Sequence, residues 1–140
     1  MKKIKTALIS VSDKKNLKPL LTILKKNKVK IISSGGTFKE ISKLKFKCLE
    51  VSEFTKSPEI LEGRVKTLHP KIHAGILHDR QKKSHTNEMS KQKFPPIDLI
   101  VVNFYPFQKV VRESKSSKNI IENIDIGGPT MVRSAAKNFK

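Results

Sequence analysis

Tryptophan is absent from this 140-residue chain, tyrosine occurs once (Tyr105) and cysteine once (Cys48). A single cysteine excludes an internal disulfide framework and fits a reducing compartment. No apolar run approaches the roughly 20 residues needed to cross a bilayer. The basic start MKKIKTALISVS meets Asp13 and Lys14 before a long apolar segment can build, so it does not read as a secretory leader. Acidic side chains are also scarce, 12 against 30 basic ones, leaving a formal net charge of +18. With 36% hydrophobic residues and a mean hydropathy of −0.41, the chain can build one modest core and is too short for two. The expectation is one globular domain, cytoplasmic.

The positive charge invites a nucleic-acid reading. Two features argue against it. Only Arg64, Arg80, Arg112 and Arg133 are arginine, and the lysines are spread along the whole chain. Helix-turn-helix, zinc-finger and RNP-like patterns are also missing. Non-specific binding to polyanions at low salt is expected, a specific nucleic-acid partner is not.

What is there alternates. IKTALISVS (4–12) reads as a buried strand, and Leu17, Leu20, Leu21 and Leu24 follow at helical spacing, with Pro19 tolerable near a first turn. VKIISSGG (29–36) is a second apolar run, TFKEISKLK (37–45) a short helix, and KCLEVSE (47–53) a third strand. Residues 54–94 are irregular and polar, with short helices. IDLIVVNFYPF (97–107) reads as a strand buried on both faces. Two helical stretches, FQKVVRES and SKNIIENI, lead to DIGG and a last helix, PTMVRSAAKNFK (129–140). Strand–helix alternation predicts an α/β fold, a three-layer parallel sheet with helices on both faces.

In such sheets ligands bind where the strands end. After the first strand stand Ser12, Asp13 and Lys14, which serve equally as a helix N-cap or as the start of a site. After the second come Ser34, Gly35, Gly36 and Thr37; paired glycines at a helix start can turn successive amides toward a phosphate, or simply make a turn. After the apolar strand come Asn103 and Tyr105, both able to hydrogen-bond a ligand carbonyl. Asp125 and Gly127 open the last helix, on which Arg133 and Lys137 share a face, with Asp125 expected within reach of these cations. EGRVKTLHPKIHAGIL (62–77) concentrates cations without a clear helical or strand period, so Arg64 and Lys66 are expected to serve the pocket that SSGGT begins. His69 and His73, four apart, suggest a metal, but HExxH is not formed, Pro70 interrupts the helix that would align them, and no third ligand is evident.

Together, SVSDK, SSGGT, GRVKTLHPKIHAGIL, VVNFYPF and ENIDIGGPTMVRSAAKN resemble, in order and over nearly the whole chain, the N-terminal IMP cyclohydrolase domain of the bifunctional PurH purine-biosynthesis family. The resemblance implies a methylglyoxal-synthase-like fold and closure of 5-formamidoimidazole-4-carboxamide ribotide to IMP with loss of water. It implies no metal or redox cofactor. Ser12, Asp13, Lys14 and Ser34 to Thr37 would cradle the phosphate and its neighbouring atoms. Arg64, Lys66 and Thr67 would line the base side, and Asn103 and Tyr105 would orient the formyl and carboxamide groups. Asp125, Gly127 and Lys137 would complete the catalytic end, with Lys66, Tyr105, Asp125 and Lys137 as the catalytic set.

Full-length relatives also carry a formyltransferase domain, and the resemblance suggests a homodimer. Against that pattern, 1–140 reads as a cyclohydrolase domain lacking its C-terminal strands and the whole formyltransferase domain. The competing readings are a non-catalytic module of the same fold that binds a phosphorylated effector, and methylglyoxal synthase, for which Asp125 would be the base. The combination of Lys66, Tyr105, Asp125 and Lys137 favours the cyclohydrolase.

Overall fold

A computed structural model of the chain describes residues 3–139. Its four strands, β1 (Thr6–Val11), β2 (Lys30–Ser33), β3 (Leu49–Glu50) and β4 (Leu99–Asn103), form one parallel sheet in the order β3-β2-β1-β4. Alternate residues of a strand face opposite sides, and the two sides of β1 accordingly feed two cores. Ala7 and Ile9 pack with Ile31 against Leu17, Leu21 and Leu24 of α1 (Leu17–Lys26) and Ile41 of α2 (Gly35–Lys43). Leu8 and Ile32 pack on the other side. There they meet Val51 and Phe54 of α3 (Val51–Thr55), Ile72 and Ile76 of α4 (Pro70–Leu77) and Met131 of α8 (Gly127–Lys137). Burying each such side chain contributes about 1.5–3 kcal/mol. The remaining helices are α5 (Lys83–Lys91), α6 (Phe107–Glu113) and α7 (Ser117–Glu122). The three-layer α/β fold is the one expected, and none of the helices among the described residues is long and apolar enough to cross a membrane.

Several local expectations are corrected. Of KCLEVSE only Leu49 and Glu50 are strand, and Val51 starts a helix. IDLIVVNFYPF is strand only over Leu99–Asn103, and it is half-buried rather than enclosed. The reason is its place in the sheet. β4 pairs with β1 on one side and is the last strand on the other among the described residues. Its side chains still divide between both cores, Leu99 and Val101 to one and Ile100 and Val102 to the other, which is why it reads as apolar throughout. Neither Ser12 nor Asp13 caps α1; the N-cap is Asn16, without a side-chain cap bond. Pro70 does not interrupt a helix but begins α4, with His69 as N-cap accepting the Lys71 amide through Nδ1 at 3.1 Å. The last helix starts two residues earlier than expected, at Gly127, and Lys140 lies outside the described residues.

Three helices leave toward the next strand through the same device. At the end of α1, Lys28 donates to the Lys25 carbonyl (3.0 Å) and Val29 to that of Leu24 (2.9 Å). Lys45 and Phe46 repeat the pattern after α2, Lys93 and Phe94 after α5. This is the Schellman closure, which wants a left-handed residue, and Lys28, Lys45 and Lys93 adopt φ of 55°, 60° and 54°. All three strand entrances therefore carry a lysine where glycine is the usual occupant.

Candidate functional site

Because the sheet is parallel, β1, β2 and β4 all deliver their last residues to one edge, and a cleft of about 580 Å³ opens there. Its floor is fixed by side-chain bonds between strand ends. Thr37 Oγ accepts from the Val11 amide (3.0 Å) and donates to the Val11 carbonyl (2.9 Å), tying α2 to β1. Asn103 at the end of β4 accepts from the Ser12 and Asp13 amides and donates to the Asp13 carbonyl (2.8 Å). Its amide group is therefore engaged in shaping the β1 loop. Asp13 is exposed and accepts from the Lys15 amide (2.9 Å), a local turn outside the cleft lining.

Above the floor, two ammonium groups converge on the glycine pair. Gly35 takes a φ of 55°, open to glycine without strain, and starts α2 after an extended Ser34 that offers no side-chain cap. A Cβ on Gly35 would lie 3.3 Å from Lys66 Nζ, and one on Gly36 would lie 3.7 Å from Lys14 Nζ. Lys14 Nζ donates back to the Ser12 carbonyl (3.0 Å), and Lys66 Nζ sits 3.6 Å from Glu59. An uncapped helix N-terminus, glycine backbone and two lysines form a ready anion site.

The facing wall is built by α8 and the segment before α4. Thr67 is buried, and its hydroxyl fills the space beside Gly127, where a Cβ would come within 2.5 Å of it. Asp125 accepts the Gly128 amide at 2.9 Å, a carboxylate at a helix start where the dipole favours negative charge. Tyr105, half exposed, stands at the rim. Arg64, also at the rim, is ion-paired with Glu122 of α7; the pair is exposed, and Glu122 pushes the guanidinium pKa above its ordinary value. A broader apolar trough of about 800 Å³ runs beside the cleft past Phe104, Phe107 and Ile124. It shares Tyr105 and Asp125 but not the glycines or the two converging lysines, so the anion-binding features lie in the cleft.

The structure thus brings together Ser12, Lys14, Ser34, Gly35, Gly36, Thr37, Arg64, Lys66, Thr67, Asn103, Tyr105, Asp125 and Gly127 around one cleft. Lys137 does not join them. It is exposed near the end of α8, ten residues beyond Gly127 and so about 15 Å along the helix axis, out of reach of Asp125. Arg133 is likewise exposed. Sequence reasoning missed Glu59 and Glu122, the partners of Lys66 and Arg64, because pairs such as Arg64 and Glu122, 58 positions apart, leave no local pattern. It also missed the apolar wall of Ile121, Ile124, Ile126 and Met131. Among the described residues, no group of three or more His, Cys, Asp or Glu side chains is placed to hold a metal ion.

The chain is similar to several known proteins. The chain is 53% identical to the bifunctional purine biosynthesis protein PurH of Prochlorococcus marinus subsp. pastoris, over 96% of its own length and 26% of that protein's. To the PurH of Magnetococcus marinus it is 50% identical, over 100% of the chain and 26% of the relative. To that of Clostridium perfringens it is 52% identical, over 97% and 27%. It spans about a quarter of the length of these relatives. A solved structure described as the crystal structure of ForH superposes with a TM-score of 0.83 at 31% identity, covering 97% of this chain and 70% of the other. A family model described as the MGS-like domain matches residues 16–130, and the chain belongs to that family.

Proposed function

We propose that this chain is an enzyme domain of purine biosynthesis whose cleft binds 5-formamidoimidazole-4-carboxamide ribotide and closes it to IMP. The observation that carries the proposal is the convergence of Lys14 and Lys66 on Gly35 and Gly36, with Asp125 and Tyr105 lining the same cleft. A ribotide offers a match: a phosphate for the glycine end, and a formyl and a carboxamide group for the other. Similarity to the PurH proteins supports the same substrate.

Ring closure is intramolecular. The carboxamide nitrogen attacks the formyl carbon, forming the new C–N bond and a tetrahedral oxyanion. The formyl oxygen then leaves as water, carrying away one proton from the carboxamide nitrogen and one from the formamido nitrogen. A tethered nucleophile needs mainly its reactive rotamer fixed, which a closed-in cleft supplies. In this proposal Lys66 stabilises the oxyanion, Asp125 accepts the proton from the attacking nitrogen, and Tyr105 donates to the departing oxygen. Ser12, Lys14, Ser34 and the first turn of α2 hold the phosphate, while Thr67 and Gly127 shape the base side. Asp13 and Asn103 act through the loop they brace. Lys137 enters through the family resemblance, not through the cleft.

The test is to add the formylated ribotide to the purified chain and follow IMP by ultraviolet absorbance, with Lys66→Met, Asp125→Asn and Lys137→Met in parallel. Turnover lost in the first two variants is the expected result. Loss in Lys137→Met as well would return Lys137 to the chemistry through a rearranged α8. Ligand-dependent thermal protection without turnover in the unaltered chain would replace the enzyme reading with a module that binds a phosphorylated effector. Neither turnover nor protection would overturn both.

A further inference from the structure

Lys66 reaches the cleft from a turn that strains the backbone. Ile60 and Val65 form an antiparallel bridge, the Ile60 amide donating to the Val65 carbonyl at 3.1 Å and the Val65 amide to that of Ile60 at 3.3 Å. Between them Leu61, Glu62 and Gly63 take φ of 53°, 55° and 85°, three left-handed residues in a row of which only the last is glycine. None of the three is buried, so packing does not hold the turn. Other residues than glycine stay in that region only where their surroundings fix them. Two ion pairs act on this turn, Arg64 with Glu122 of α7 and Lys66 with Glu59.

The second pair belongs to the turn itself. In the register of the bridge, Glu59 and Lys66 are the next residues opposite one another, a place where unlike charges attract across two strands. Lys66 Nζ lies in a slot made by absent side chains. A Cβ on Gly63 would come within 3.0 Å of it and 3.2 Å of Glu59 Oε2, and a Cβ on Gly35, at the start of α2, within 3.3 Å of it. The Glu59 carboxylate stands 3.6 Å from Nζ, the Lys66 side chain being 29% exposed and that of Glu59 34%. That is close enough to orient an ammonium and too far to occupy one of its three N–H donors. Lys66 is therefore held with its donors uncommitted. Glu62 lines the cleft from the same turn, and its charge acts on Arg64.

We infer that Glu59 is a positioning residue: opposite Lys66 in the turn, it holds the Lys66 ammonium between Gly63 and Gly35, facing a ligand that enters the cleft. The consequence for ligand rests on the proposed nucleotide-binding function; the holding of Nζ does not.

Charge alone predicts the opposite of positioning, so the sign of the effect decides. Removing a negative charge beside an anion site should tighten anion binding. Glu59→Gln, of the same shape, should instead bind IMP about three- to ten-fold more weakly, because Lys66 loses its place. Glu62→Gln makes the same charge change in the same turn and should bind IMP as tightly as the unaltered chain or slightly more so. Glu59→Asp keeps the charge on a shorter arm and should fall between Glu59→Gln and the unaltered chain. In ¹³C-labelled protein a held Lys66 should give two distinct Hε resonances, assigned by their loss in Lys66→Met. Glu59→Gln should merge them while leaving the Ile60 and Val65 amides in place. Unchanged or tighter IMP binding by Glu59→Gln, or Hε resonances that do not move, would overturn the inference. So would an Asp variant weaker than the Gln variant, or displaced Ile60 and Val65 amides, which would make Glu59 a prop of the turn only. If IMP fails to bind the unaltered chain, the nucleotide reading falls, and the Lys66 resonances still decide the role of Glu59.

Discussion

The two ends of the sheet are both rich in lysine, and the candidate cleft opens at one of them. At the strand entrances, Lys5, Lys28, Lys30, Lys45 and Lys47 are all exposed. Lys5 and Lys30 are adjacent, the Lys30 amide donating to the Lys5 carbonyl at 2.8 Å, and neither lines the cleft. At the strand exits, Lys14 and Lys66 are half-buried and their ammonium groups approach neighbouring glycines, Lys66 at Gly35 and Lys14 at Gly36. Most of the +18 charge is thus a solvated surface, and what marks the functional end is convergence on backbone that can come close. Geometry separates two regions that composition makes alike.

The comparison breaks most visibly if both ends bind anions equally. Lys66→Met should weaken IMP binding about ten- to a hundred-fold, the loss expected when a charge-assisted contact is removed from a partly enclosed site. Lys30→Met, one charge lost at the other end, should change it less than two-fold at moderate salt, where exposed charges are screened. Isothermal titration of both variants checks this. Equal losses would mean that long-range field, not convergence, attracts the ligand.

A second contrast concerns glycines within the functional end. A Cβ on Gly127 meets the hydroxyl of buried Thr67 at 2.5 Å, whereas one on Gly36 meets only the mobile tip of Lys14 at 3.7 Å. Gly127→Ala should therefore cost about 1–2 kcal/mol in urea unfolding, overpacking outweighing the gain in helix propensity. Gly36→Ala should leave stability within about 0.5 kcal/mol and disturb phosphate binding instead. Similar stability losses in both would show that the cleft walls are not rigid in the way Thr67 suggests.

How much of this was legible in the sequence follows the same division. Helix faces and strand order of appearance were readable because Leu17, Leu21 and Leu24 repeat with the helical period, and because adjacent Ile31 and Ile32 make the apolar run of a strand covered on both faces. The glycine pair and the residues after each strand were readable because a parallel sheet sends all of them to one edge. Two things were not readable. Val51 to Thr55 carry no local feature that distinguishes a short strand from a short helix, and tertiary packing of Val51 and Phe54 decided it. The apolar run around Leu99–Asn103 reports that both faces are covered, but not that an edge is open, since edges depend on strand order rather than hydrophobicity. Lys137 illustrates the limit for the site: a helix period says which residues share a face, not how far along the axis that face has left the cleft behind.

At the entrance end, Asp98 is firmly built in. Burial alone would raise its pKa, but the amides of Lys5 and Thr6, each at 2.8 Å, and the Arg80 guanidinium outweigh it and hold the carboxyl below its ordinary value. The folded pKa lies below the unfolded one. The stability Asp98 contributes is therefore complete above the unfolded value of about 3.9 and is lost as pH falls through the folded value. Asp98→Asn should cost about 1 kcal/mol at neutral pH and flatten the acid limb of the unfolding midpoint. An acid limb as steep as that of the unaltered chain would assign it to the glutamates of the cleft end instead.

The smallest effect tests the lysine exits themselves. Lys28 closes a Schellman turn at φ 55°, with Leu24 and Val29 packed into the same core on either side of it. An L-residue held there costs roughly 1 kcal/mol relative to its preferred conformation. Part of that is offset by the ammonium near the carbonyl end of α1, and glycine in turn loses more freedom on folding. Lys28→Gly should then stabilise the chain by only a few tenths to about 1 kcal/mol, with Lys45→Gly behaving alike. Both should leave IMP binding unchanged. A loss of affinity from either would mean that the strand entrances are coupled to the cleft through β2, and that the two ends of the sheet are not independent after all.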